Sequence, residues 1–213
     1  MSAPAKGRLE ADGAGLENGS HGDVGSRDGA ATKATAKSRH RWRRRLVWSL
    51  GTVIVVFVVA TLALFISPPT DLPQHVDGIL SLNGHGEQDR EALAVSLAEK
   101  GYAPVLLFSV GSTANNTPCP KVPRVKVVCF ADVTNNTRGE ARFVGQYAER
   151  HHWRSLLIVP SRTQTTRARL LVGRCFPGRV VVVPSAEPLS ETVGDVFHEW
   201  GGVLAALAIY RGC

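Results

Sequence analysis

The sequence has no cysteine before position 119, no charged residue between positions 46 and 66, and almost no large apolar residue among its first 38 positions. The last of these absences excludes a hydrophobic core in residues 1–38, which are rich in Gly, Ala, Ser and charged residues. We therefore expect this region to be disordered. The chain also has no internal repeat, so one folded domain with appendages is the default expectation for 213 residues.

The stretch without charge, residues 46–66, is 21 residues long. As an α-helix it would be about 31 Å long, enough to cross a bilayer core of about 30 Å. Trp42 and Trp48 lie where aromatic residues of the membrane interface are expected. The sequence therefore predicts a transmembrane helix over residues 46–66.

The charges that flank this stretch predict its orientation. Residues 39–45 contain five arginines, whereas residues 67–71 contain no positive charge. The positive-inside rule then makes residues 1–45 a basic cytoplasmic arm and places residues 67–213 outside the cell membrane. A cleaved signal peptide is the alternative. It fits less well, because 45 residues would precede the apolar run and no good A-x-A site precedes Ser67.

The formal net charge of +7 is distributed unevenly. Residues 1–45 hold ten Lys and Arg against five Asp and Glu, whereas residues 67–213 hold fifteen against thirteen. The basic excess is thus concentrated beside the predicted membrane helix and not over a domain face. This pattern does not support a nucleic-acid partner.

All four cysteines follow the predicted membrane helix, on the side where oxidising conditions allow disulfides. Four cysteines permit three pairings. We favour Cys119–Cys129, which closes a proline-rich loop, and Cys175–Cys213, which joins the C-terminal residue to the end of a helix. A zinc site is less favoured, because the spacings are not C-x2-C and no histidine lies close to the cysteines in sequence.

Beyond Pro73, short runs of Val, Leu and Ile alternate with helical patterns. We predict strands at residues 76–82, 105–109, 125–130, 156–159 and 180–183, and helices at residues 87–100, 137–151, 162–174 and 190–210. This alternation predicts one α/β domain over residues 76–213, joined to the membrane helix by a linker, residues 67–75. Its expected architecture is a three-layer, doubly wound, mainly parallel sheet of Rossmann-like type.

Residues 156–171, LLIVPSRTQTTRARLL, are the first candidate for a ligand site. A strand passes here through Pro160 into a helix, at the sheet edge where such folds bind ligands. The unpaired N–H groups at the start of this helix favour an anion. The same pattern also fits a capping box formed by Ser161 and Gln164, with no ligand at all.

Two further loops reach the same edge. In residues 83–90, Gly84 and Gly86 allow close approach of a ligand to the backbone, and Arg90 can meet an anion, but the third glycine of a dinucleotide fingerprint is missing. After the third strand, Thr137 and Glu140 have capping-box spacing, which is the simpler role for Glu140. Glu140 would also face the crevice, where it could act as a general acid or base if burial raised its pKa.

Six segments, taken together and in this order, resemble the YdcF/SanA/ElyC family over about residues 75–213. They read DGILSL (77–82), the two glycines at 84 and 86, LLFSVG (106–111), NTRGEA (136–141), VPS (159–161) and HEW (198–200). The family is a bacterial domain of unknown function with a Rossmann-like three-layer fold, and several members are tied to the cell envelope.

The resemblance implies a membrane-anchored, extracytoplasmic domain that binds or processes a phosphorylated envelope precursor of peptidoglycan or polyprenyl-phosphate metabolism. One family member has been reported to bind S-adenosylmethionine, so a nucleotide or S-adenosylmethionine binder is an alternative. It is disfavoured, because such cofactors are scarce outside the cytoplasm. We expect neither a cofactor nor a metal, and the oligomeric state is not predicted.

The polar positions of the family correspond here to Arg90, Ser109, Asn136, Thr137, Glu140, Ser161, Arg167 and Glu199. We expect Glu140 and Ser161 to be catalytic, and the others to bind the ligand together with Gly84, Gly86 and Gln164. The family turn usually reads S-x-x-H, and Gln164 stands here at the histidine position. Because glutamine cannot shuttle a proton, this chain either relies on Glu140 or binds without turnover, and the resemblance leaves open whether it is an enzyme.

Overall fold

The structure is a computed structural model that describes residues 28–83, 87–110, 119–131, 136–186 and 189–213. The chain divides into two units, residues 1–52 and 53–213.

Helix α1 runs from Asp28 to Thr61 and continues as a π-helical turn, Leu62–Ile66. Within the described ranges, one helical stretch, His40–Ile66, is long and apolar enough to cross a membrane. The helix begins before the predicted transmembrane helix of residues 46–66 and includes residues 28–45. This segment contains several alanines and lysines, which are good helix formers, and it extends a long apolar helix that is already nucleated. Residues 1–27 lie outside the described residues.

Within the described residues, five parallel strands form one sheet in the order β3–β2–β1–β4–β5. Their bounds are β1 Gly78–Ser81, β2 Val105–Ser109, β3 Lys126–Phe130, β4 Ser155–Val159 and β5 Arg179–Val182. In the register of the central strands, Leu80 lies between Leu107 and Ile158. The chain winds outward from β1 in both directions, so the β1–β4 boundary is the topological switch point of the sheet.

In the described part of the chain, the helices that alternate with these strands are α2 Glu87–Glu99, α3 Thr137–Arg150, α4 Thr165–Cys175 and α5 Leu189–Ala208. Alternate strand residues face opposite sides of the sheet. On one side Leu80 and Ile158 pack with α3 and α4, and on the other Ile79 and Leu157 pack with α2. Helices therefore cover both faces of the parallel sheet, which confirms the predicted fold class.

Residues 67–75, predicted as a linker, follow the edge of β5. The backbone N–H of Asp71 donates to Val182 O at 2.9 Å, and Val182 N–H donates to Asp71 Oδ2 at 2.9 Å. Arg169 of α4 also donates to Asp71 Oδ2, at 2.9 Å. The segment thus provides hydrogen-bond partners for backbone groups of the edge strand β5 that would otherwise be unpaired.

Both favoured disulfides are present, Cys119–Cys129 and Cys175–Cys213. The first joins the segment before β3 to β3 itself. The second joins the last residue of α4 to the C-terminal residue. The pairing predicted from the sequence is confirmed.

Candidate functional site

A polar pocket of about 280 Å³ lies at the carboxyl edge of the sheet, beside the switch point. It collects residues from the ends of β1, β2 and β4, from the first halves of α3 and α4, and from the middle of α5. The lining residues are Asn83, Ser109, Val110, Asn136, Thr137, Glu140, Ser161, Thr163, Gln164, Arg167, Asp195, His198 and Glu199. Twelve of these thirteen residues are polar.

Glu140 is a buried acid in this pocket, with only 3% of its surface exposed. Its Oε1 accepts a hydrogen bond from the backbone N–H of Asn83 at 2.7 Å. Burial raises the pKa of the Glu140 carboxyl above its ordinary value, while the Ser109 hydroxyl, the Asn83 N–H and the charges of Arg90 and Arg167 act in the opposite direction. A carboxyl group tuned in this way is suited to general acid or base catalysis.

The capping role predicted for Thr137 and Glu140 is wrong. Asn136 caps α3: its backbone is extended, and its Oδ1 accepts from Gly139 N–H at 3.0 Å. Asn is among the preferred N-cap residues, so it takes this position from the threonine that follows it. Glu140 is thereby left to bond Asn83 across the pocket, and the Thr137 hydroxyl accepts from Arg167 Nη1 at 2.9 Å.

Arg90 lies behind the pocket wall and is fully buried. Its Nη1 donates to Gln164 Oε1 at 3.0 Å and to Asn83 O at 3.2 Å. Arg90 is not among the residues that line the pocket, and its contact with a ligand stays a prediction. It positions two residues that do line the pocket, and its charge acts on Glu140.

Gln164 occupies the position where the resemblance implies a histidine. It lines the pocket while its Oε1 accepts from Arg90. The Ser161 hydroxyl accepts from Gln164 N–H at 3.3 Å and also bonds the Thr163 hydroxyl at 3.2 Å. Ser161 therefore caps the turn before α4, and neither of these two contacts can remove the proton that a catalytic serine must lose. The turn also explains why α4 begins at Thr165, three residues later than predicted.

Arg167 and Glu199 form a bidentate ion pair across the pocket side of α4 and α5. The distances are 2.8 Å from Nε to Oε2 and 2.6 Å from Nη2 to Oε1. The contact with Thr137 makes Arg167 a link between three helices. A Cβ built on Gly202 of α5 would lie 2.6 Å from Arg167 Cδ, so a glycine at 202 leaves room for this arginine.

The side chains of the pocket do not create a positive site by themselves. Arg167 is paired with Glu199, and Asp195 and Glu140 bring two further carboxyl groups. The favourable element for an anion is the pair of helix N-termini, because α3 and α4 both begin at the pocket and direct the positive ends of their dipoles toward it. Among the described residues, no cluster of three His, Cys, Asp or Glu could hold a metal ion.

Of the predicted site residues, the structure brings Ser109, Asn136, Thr137, Glu140, Ser161, Gln164, Arg167 and Glu199 to one pocket. Gly84 and Gly86 lie outside the described residues. The site prediction omitted five residues that also line the pocket: Asn83, Val110, Thr163, Asp195 and His198. Helical spacing could have indicated Asp195, because it lies four residues before Glu199 on the same helix.

No protein-family model matches the chain, and no curated protein matches it. Among solved structures, the crystal structure of pantoate-beta-alanine (pantothenate synthetase) from Thermus thermophilus has 17% sequence identity to this chain, with 55% of this chain covered and a TM-score of 0.31. The match covers 59% of the length of that synthetase. A likeness at this level carries no argument about the ligand or reaction of the present chain.

Proposed function

We propose that the chain is a single-pass membrane protein with its N-terminus in the cytoplasm and its α/β domain outside. One apolar helix of sufficient length and two disulfides support this arrangement. The arginines before the apolar stretch support the orientation.

We further propose that the domain binds the phosphorylated head group of a lipid-linked envelope precursor and processes it by acid–base catalysis. The observation that carries this proposal is the convergence of the buried Glu140 carboxyl, Arg167 and the N-termini of α3 and α4 in one polar pocket. The resemblance of residues 75–213 to an envelope-associated family adds the cellular context.

Each group has a role suited to its surroundings. The N-termini of α3 and α4 hold the phosphate, because their backbone N–H groups match its oxygens. Arg167, whose Nε and Nη2 already donate to Glu199, adds its remaining N–H groups to this contact. Asp195 accepts hydrogen bonds from hydroxyl groups of the head group. Glu140, with its pKa raised by burial, donates a proton to the leaving oxygen or accepts one from the attacking water.

The test uses the full-length protein reconstituted in lipid nanodiscs. Binding of polyprenyl phosphate, polyprenyl diphosphate and nucleotide sugars is measured together with release of phosphate. Glu140→Gln is expected to abolish turnover and retain binding, whereas Glu149→Gln, an exposed change on the same helix, should alter neither. Absence of binding to all of these compounds would refute the proposal.

Arg167→Lys tests the phosphate contact with less disturbance than truncation, because lysine keeps the charge beside Glu199 but lacks the planar fork. We expect about a tenfold loss of affinity, or about 1.4 kcal/mol. Arg162→Ala, at an exposed arginine of the preceding turn that is absent from the pocket lining, is the matched control. Equal affinities for Arg167→Lys and the wild type would contradict the assigned role.

A second candidate is a domain that binds the same head group without turnover, and Gln164 favours it. This side chain is engaged with Arg90 and cannot exchange a proton. Gln164→His separates the two candidates. A gain of phosphate release in this variant supports a binding module derived from an enzyme, whereas turnover already present in the wild type and lost in Glu140→Gln supports the first proposal.

A further inference from the structure

Helix α5 has one face that is apolar, exposed and free of charge. Phe197, Gly201, Leu204 and Ala208 recur at intervals of three or four residues and therefore share one side of the helix, and the half-buried Trp200 lies beside them. Phe197 is 74% exposed and Leu204 is 56% exposed. No charged residue occurs between Glu199 and Arg211.

This face is continuous with the apolar helix that we propose as the membrane anchor. The Trp200 ring stacks on Phe57 with a centroid separation of 5.3 Å and meets Phe65 edge-on at 5.3 Å. Trp200 Nε1 also donates to Thr61 Oγ1 at 3.1 Å. Helix α5 thus contacts the apolar stretch in the half nearest the extracytoplasmic side.

The opposite side of α5 carries Asp195 and Glu199, which line the pocket. One helix therefore presents the ligand site on one side and an uncharged apolar surface on the other. The thickness of a helix with its side chains is about 10 Å, so the pocket lies about that distance from whatever covers the apolar face.

We infer that the exposed apolar face of α5 is inserted into the extracytoplasmic leaflet of the membrane, so that this helix holds the pocket about 10 Å from the lipid that covers its apolar face. An amphipathic helix with apolar and aromatic residues on one side and polar residues on the other is suited to this position. The ligand class that follows is an amphiphile whose chain remains in the bilayer while its head group enters the pocket. This inference rests on the proposed membrane anchoring.

The test places p-benzoylphenylalanine in the full-length protein in liposomes, at position 197 or 204, and detects lipid adducts by intact mass after irradiation. The same residue at Val56, an exposed position of the apolar helix, reports on the anchor. At Gln146, an exposed position of α3, it is the control remote from the apolar face. We expect lipid adducts at 56, 197 and 204 and none at 146.

Lipid adducts at position 56 without adducts at 197 and 204 would overturn the inference and leave the anchor intact. Protein–protein adducts at 197 and 204 would overturn it in favour of a second copy of the chain as the occupant of this face. Absence of adducts at position 56 would refute the anchor itself, and the inference with it.

Discussion

The buried ion pair between Arg167 and Glu199 permits a quantitative test of what holds the pocket together. Replacing Arg167 by methionine keeps the unbranched apolar stem but removes two hydrogen bonds to Glu199 and one to Thr137. The side chain of Glu199 is 4% exposed. Its carboxylate would therefore remain buried without its partner.

The expected cost follows from this geometry. Loss of one partner of a buried pair destabilises a protein by about 3–5 kcal/mol, because the remaining charge is left uncompensated. Arg169 on the same helix provides a matched control, since its pair with Asp71 is 37% and 35% exposed. Breaking an exposed pair costs about 0–1 kcal/mol, so Arg169→Met should be much milder.

A double-mutant cycle isolates the pair. We expect Arg167→Met combined with Glu199→Leu to cost less than the sum of the two single changes by about 2 kcal/mol, because the double variant leaves no unpaired charge. Urea unfolding of the full-length protein in detergent, read by pulse proteolysis, measures the folded fraction of each variant. Additivity within about 0.5 kcal/mol would refute the reasoning.

Three other predictions concern titration and covalent constraint. Burial raises the pKa of Glu140 above 4.5, so the free energy of unfolding should fall as pH rises through that raised value. The midpoint of urea unfolding, measured upward from pH 4.5, should show this fall in the wild type and a flatter dependence in Glu140→Gln. Burial alone would raise the pKa of Asp77, but hydrogen bonds from Arg154 and Ser155 lower it below 3.8. The contribution of Asp77 to the free energy of unfolding is therefore present above pH 3.8 and lost as pH falls through the lowered pKa. Asp77→Asn should remove this acid-sensitive contribution. Replacing both cysteines of Cys175–Cys213 by serine should lower thermal stability more than the same change at Cys119–Cys129, because the first disulfide joins residues 38 positions apart and the second joins residues 10 apart. The expected losses from loop entropy are about 4 and about 3 kcal/mol, respectively.

Much of the fold was predictable because it follows from local pattern. Continuous Val, Leu and Ile runs are typical of strands buried on both faces, and the alternation with helices indicates parallel pairing. The element bounds agree within a few residues. The largest departure lies at α1, where a long apolar helix propagates into a polar segment whose own composition predicts disorder.

The convergence of the predicted residues at one edge of the sheet followed from the fold, but their contacts did not. The rule that ligands gather at the carboxyl ends of parallel strands selected loops that meet at one pocket. It did not distinguish Glu140 as a helix cap from Glu140 as a buried acid, because both roles have the same spacing. It also did not indicate that Arg90 donates to Asn83 and Gln164, because those contacts join residues that are distant in sequence or depend on packing.

Sequence by itself determined the apolar helix, the alternating strands and helices, and the residue types available at the sheet edge, since these depend on local composition and periodicity. Tertiary structure alone decided that Arg167 pairs with Glu199, that Asn83 bonds Glu140, and that Trp200 packs on Phe57. The partners in these pairs are separated by 32, 57 and 143 positions along the chain. The strength of these contacts depends on how deeply the residues are buried and on which side chains are brought together by the fold. Neither property follows from the local sequence pattern.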